Sequence, residues 1–134
     1  MFEIILIDDA AETALASSAI ALRRPYARVA KMLEVEQAAA HLRSTDGSQP
    51  PETRLILLGP GALRRVHDGK LAAVASQDGT RLLLVGLASG LTPVERERAL
   101  AAGVHAIYER PAGWPEYSAL VHRILDSALN HNGH

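Results

Sequence analysis

The chain has 134 residues, 48% hydrophobic and 22% charged, and its 14 Lys and Arg against 15 Asp and Glu leave a net charge of −1. This suits one domain that buries roughly two thirds of the surface its unfolded chain exposes, and it excludes a disordered tail. The absence of Cys excludes a disulfide framework, a thiolate zinc site and a thiol nucleophile. The basic pairs Arg23-Arg24 and Arg64-Arg65, and Arg96 with Arg98, are scattered among acids, so no nucleic-acid partner is expected. Phe2, Tyr26, Tyr108, Trp114 and Tyr117, the five aromatic residues, offer no stacking platform for bases or sugars. Met1-Phe2-Glu3 lacks the positive start of a signal peptide, and the longest apolar run, Leu82 to Leu91, is too short to span a bilayer. A cytoplasmic protein with no membrane attachment is expected.

Phe2 to Ile7 is a short apolar run of the kind buried on both faces of a sheet, ending at Asp8-Asp9. Ala11 to Arg24 reads as a helix stopped by Pro25. Ala27 to Leu33 alternates and predicts a second strand, and the Ala-rich Glu34 to Arg43 a second helix. Ser44 to Thr53 is a polar surface loop. Leu55 to Leu58 predicts a third strand, closed by Gly59-Pro60-Gly61, with a helix starting either near Ala62 or at Asp68 as cap of Gly69 to Ser76. Leu82 to Val85 is a fourth strand. Thr92-Pro93-Val94-Glu95 opens a helix with Thr as cap, Pro first and Glu third, and that helix ends at Gly103. Val104 to Tyr108 is a fifth strand, closed by Arg110-Pro111; Pro115 to Leu129 is the last helix, and residues 130–134 a frayed tail. Five βα repeats predict an α/β fold, a parallel sheet with helices on both faces and right-handed crossovers. Ligands and chemistry in such sheets gather at the carboxyl ends of the strands, here Asp8-Asp9, Gly59, Ala88-Ser89 and Arg110.

IILIDD at 4–9, RLILLG at 54–59, RERALAAGVHAIYERP at 96–111 and the closing helix together resemble the receiver domain of bacterial response regulators, over nearly the whole chain. The Pro-containing loop before strand three looks most like the single-domain regulators that accompany bacterial phytochromes. The resemblance implies a flavodoxin-like receiver fold over residues 1–134, a three-layer, doubly wound, parallel five-stranded sheet of order 2-1-3-4-5. It also implies a phosphoryl-accepting Asp at the end of strand three, a Mg²⁺-holding acidic pair after strand one, a switch hydroxyl after strand four and a Lys before Pro after strand five. A carboxylate nucleophile attacking a phosphoryl group needs that neutralising cation set.

The sequence departs from the pattern. Asp8 and Asp9 match the acidic pair, and Arg110 stands for Lys. The acceptor position is Gly59, the switch hydroxyl position is Ala88 with Ser89 next to it, and the switching aromatic falls at Ile107 with Tyr108 one residue on. Asp8-Asp9 equally suits a helix N-terminus, so Mg²⁺ binding there is expected to be weak or lost, with no other cofactor. Arg110 is expected to neutralise Asp8 and Asp9. Gly59-Pro60-Gly61 reads as a tight turn or as a phosphate-cradling one. Of the His residues at 41, 67, 105, 122, 131 and 134, only His131 and His134 show metal-ligand spacing.

The expected function is a degenerate receiver, not an enzyme: a phosphorylation-independent protein-interaction module in two-component signalling, with a histidine kinase or another signalling protein as partner. The alternatives are a regulator phosphorylated at an atypical residue such as Asp68 or Asp9, and a small phosphate- or nucleotide-binding flavodoxin-like protein using Gly59-Pro60-Gly61. In the last helix Tyr117, Leu120, Val121, Ile124 and Ala128 fill one apolar stripe. Leu125 and Leu129 then widen it towards solvent, with Trp114 at its start, which predicts a homodimer face.

Overall fold

The computed structural model describes residues 2–43, 53–66 and 81–130. Strands and helices alternate along the chain: β1 (Phe2–Ile7), α1 (Ala10–Arg23), β2 (Arg28–Met32), α2 (Val35–Arg43), β3 (Thr53–Leu58), α3 (Pro60–Arg65), β4 (Arg81–Ala88), α4 (Pro93–Ala101), β5 (Ala106–Glu109) and α5 (Trp114–Asn130). The strands form one parallel sheet in the order β2-β1-β3-β4-β5, as expected.

The two-residue period of a strand explains the layers. Ile5, Ile7, Ile56, Leu58, Leu84 and Ala88 point to one face, where α2, α3 and α4 cover them with Ala38, Leu42, Leu63 and Ala99. Ile4, Leu6, Leu55, Leu57, Val85 and Leu87 point to the other, under Ala16 and Ile20 of α1 and Tyr117, Leu120, Val121 and Ile124 of α5. Burial on both faces is why these strands are continuous apolar runs without alternation. The α2 face also encloses a buried ion pair at the amino end of the sheet. Arg54 Nε donates to Glu3 Oε1 at 2.9 Å between register partners of β3 and β1, and His41 Nε2 of α2 lies 3.0 Å from Glu3 Oε2.

Several boundaries move from the sequence reading. The strand β4 runs on through Gly86, which is paired on both sides, to Ala88; a Cβ at position 86 would stand 2.5 Å from Leu63 Cδ1 of α3, so the glycine there serves packing and is not a stop. Helix α3 begins at Pro60, earlier than either expected start, with Gly59 as its cap residue and Pro in the first turn, where a missing N–H costs nothing. The helix expected from Asp68, most of the polar loop before Thr53, and residues 131–134 lie outside the described residues, whereas Asn130 belongs to α5. The Thr92–Glu95 capping box is formed in both directions, and Gly103 (φ 110°) turns the chain out of α4. Among the described residues no helix is long and apolar enough to cross a membrane.

Candidate functional site

The strands β1, β3, β4 and β5 deliver Asp8, Gly59, Ser89 and Arg110 to one end of the sheet. Gly59 N donates to Ile7 O at 3.0 Å and Arg110 N to Ala88 O at 2.8 Å, which ties the end of β3 to β1 and that of β5 to β4, while Leu58 pairs with Gly86 between β3 and β4. The two acids of the pair then part. Asp9 is exposed and caps α1, its Oδ1 accepting from Glu12 N at 2.9 Å, which is the helix-terminus role. Asp8 is 4% exposed. Its carboxylate leans across to β3 and lies over the Gly59-Pro60-Gly61 turn. A Cβ at Gly59 would meet Asp8 Cγ at 2.6 Å, and one at Gly61 would meet Asp8 Oδ1 at 2.7 Å. Burial raises the Asp8 carboxyl above its usual range, and the carboxylates of Asp9 and Glu12 push it the same way; hydrogen bonds from the Asp9 and Gly61 amides pull back.

Arg110 does not neutralise this pair. Its guanidinium grips Glu12 in a two-pronged bridge, Nε to Oε2 and Nη2 to Oε1, both at 2.9 Å. It also lies over the Tyr117 ring, 5.1 Å from the centroid, and Tyr117 stacks on Trp114 at 6.1 Å. The sequence reading missed Glu12 because it considered only the adjacent acids. One turn into α1, Glu12 reaches the Arg110 guanidinium at the start of the loop before α5, while the Asp8 carboxylate is turned onto β3. Its signal was present as the acidic residue in the first turn of α1. Tyr117 was read as core alone; it is buried, yet it borders the site, and its hydroxyl is pushed up to about 12 by burial, with Glu12 and Asp8 adding to the rise and Arg110 opposing it. Asp8, Glu12, Thr13, Leu57, Gly59 and Tyr117 help line a void of about 10 Å³, the room of a single water.

Ala88 is buried and carries no hydroxyl, and Ser89 is exposed, its carbonyl accepting from Arg64 Nη2 of α3. Arg64 is a second residue that the sequence reading left unassigned. Ile107 is half-buried against the α2–α4 core, while Tyr108 points to the other face and is exposed, so the register assigned from Gly103 and Arg110-Pro111 agrees with the packing. For Mg²⁺ the residues present do not fit: Asp9 caps its own helix, Asp8 is buried against the Gly59-Pro60-Gly61 turn, and β3 ends in glycine. Among the described residues no group of three His, Asp or Glu side chains is placed to hold a metal ion.

The proposed dimer face is corrected. Leu125 is 1% exposed and belongs to the α1–α5 core, so it adds nothing to the surface. The side chain of Leu129 lies outside the described residues. Trp114 is 41% exposed, and its ring stacks on Tyr117 within the protomer.

A scan of family models and a search of curated proteins give no match. Solved structures do match. The phosphorylated cyanobacterial phytochrome response regulator RcpA superposes with a TM-score of 0.68 at 18% identity, over 96% of this chain and 95% of that one. A response regulator in red light signalling of R. palustris gives 0.63 at 15% identity, over 91% and 90%. A CpaE2-type pilus assembly protein from Sinorhizobium meliloti gives 0.50 at 22% identity, over 90% and 98%. In strand order, helix placement and extent, this chain has the fold of a response-regulator receiver domain.

Proposed function

We propose that the protein is a degenerate receiver, a protein-interaction module of two-component signalling that works without phosphorylation of its strand-end site. The observation that carries this reading is the end of β3: where a phosphoryl acceptor would stand there is Gly59, and the Asp8 carboxylate fills the space above it. The cation that would face a phosphoryl group is engaged as well, since Arg110 is bound at both prongs by Glu12. Asp9, an alternative acceptor, is held as a helix cap. The Asp8 carboxylate lies against the Gly59-Pro60-Gly61 turn, where a phosphate would have to sit, and this weighs against a nucleotide there. The two response-regulator neighbours, one a phytochrome regulator and one in red light signalling, favour a signalling partner such as a histidine kinase, although a pilus assembly protein shares the fold and fold does not fix function. A second copy of the chain is a further partner.

The test is incubation with acetyl phosphate and Mg²⁺ followed by intact mass measurement. The mass is expected to stay unchanged. A stoichiometric gain of one phosphoryl group, mapped to any Asp, overturns the reading.

A further inference from the structure

We propose that α1 is a pairing surface for a second copy of this chain, with the two helices antiparallel. The helix holds 14 residues, with Glu12 and Arg23 as its charged side chains. Both are held within the protomer: Glu12 by Arg110, and Arg23 by Asp126 at 2.6 and 3.2 Å. The solvent face is therefore left without charge. It consists of Ala11, Ala14, Leu15, Ser18, Ala21 and Leu22, all exposed, with Leu22 at 68%. Ser18 Oγ donates to Ala14 O at 3.0 Å, so the one hydroxyl on this face is satisfied by its own helix. A surface helix ordinarily puts its charges on this side.

Ala11, Leu15, Ser18 and Leu22 follow one another at spacings of four, three and four, the seam of a helix pair. Laid antiparallel about the middle of α1, the seam places Leu22 of one copy against Ala11 of the other, and Leu15 against Ser18. Each large side chain meets a small one. A parallel arrangement would set Leu on Leu and leave Ala facing Ala.

Charge selects the same orientation. Asp9 is exposed at the amino end, and Arg24 is exposed at the carboxyl end. Arg24 forms no ion pair among the described residues, although its charge is felt by Asp126. Antiparallel packing brings the acidic end of each helix to the basic end of the other and opposes the two helix dipoles. A single pair of helices covers less than a standard interface of about 1,600 Å², so the association is expected in the micromolar range.

Sedimentation equilibrium of the full chain across the micromolar range tests this. A monomer–dimer equilibrium is expected, and Leu22→Glu, which is exposed and leaves the core intact, is expected to weaken it at least tenfold. Because the chain has no Cys, Ala11→Cys and Ala21→Cys introduce single thiols without background. Mixed and oxidised, they are expected to give chiefly the Cys-to-Cys link between positions 11 and 21. A monomer throughout the range, which would leave α1 to some other partner, overturns the proposal. A dimer that Leu22→Glu does not weaken, or a preference for 11–11 and 21–21 links, does so too. The phosphoryl-labelling experiment does not bear on this surface, so the two readings fail separately.

Discussion

Asp8 is the residue at which the chemistry of this site is decided. A carboxylate that is buried beside two other acids, with no cation bonded to it among the described residues, binds its proton more tightly folded than unfolded. Its contribution to stability is therefore fully present below the unfolded value of 3.8, and it is lost as pH rises through the raised folded value. Asp8→Asn removes that titration. The stability of the variant relative to the parent, measured by urea unfolding, is expected to be greater at pH 7 than at pH 4. A difference independent of pH would show that Asp8 is not titrating from a buried position. The adjacent glycine follows from the same contact. Any side chain at position 59 must displace the Asp8 carboxylate, because a Cβ there would stand 2.6 Å from its Cγ. Gly59 is thus retained by what its neighbour does, and not only by what it lacks.

At the scale of elements, the Glu12–Arg110 bridge joins α1 to the loop between β5 and α5. It is two-pronged, and its side chains are 22% and 20% exposed, which places it between the weak surface pairs and costly buried ones. The Tyr117 ring beneath the guanidinium adds a cation–π contact. In a double-mutant cycle on thermal or urea unfolding, Glu12→Gln and Arg110→Ala are expected to couple by roughly 1 kcal/mol. Asp8→Asn and Arg110→Ala are expected to be nearly additive. The opposite pattern would return Arg110 to the acidic pair. The remaining elements are held by local signals whose chemistry is plain in the sequence. The Thr92–Glu95 capping box starts α4, and Pro60 opens α3. The start of α2 uses a less obvious device, the Gln37 side chain accepting from the Leu33 and Glu34 amides at 2.9 Å.

For the whole molecule, the rotation of α5 on the sheet distinguishes core from surface. Leu125 is packed with Ile124, Leu120 and Ile20, whereas Trp114 is 41% exposed. Leu125→Ala is expected to cost about 2–4 kcal/mol in urea unfolding, and Trp114→Ala about 1 kcal/mol or less. Equal effects would contradict this placement. A helical wheel could not make that distinction, because α1 packs beside α5 and buries a wider stripe than a sheet alone would. The continuous apolar runs, their βα spacing and the Pro, Gly and Thr punctuation determined the succession of elements and a parallel sheet covered on both faces, because strands buried on both faces and joined by short crossovers admit few arrangements. The glycine that ends β3, Gly59, was legible for the same reason: the position is fixed by its strand. Only the tertiary structure decided where the long side chains reach. Arg110 has several acids within its span, and its choice of Glu12 over Asp8 depends on Asp8 turning onto Gly59, a contact between strands 51 residues apart in sequence that no local spacing encodes.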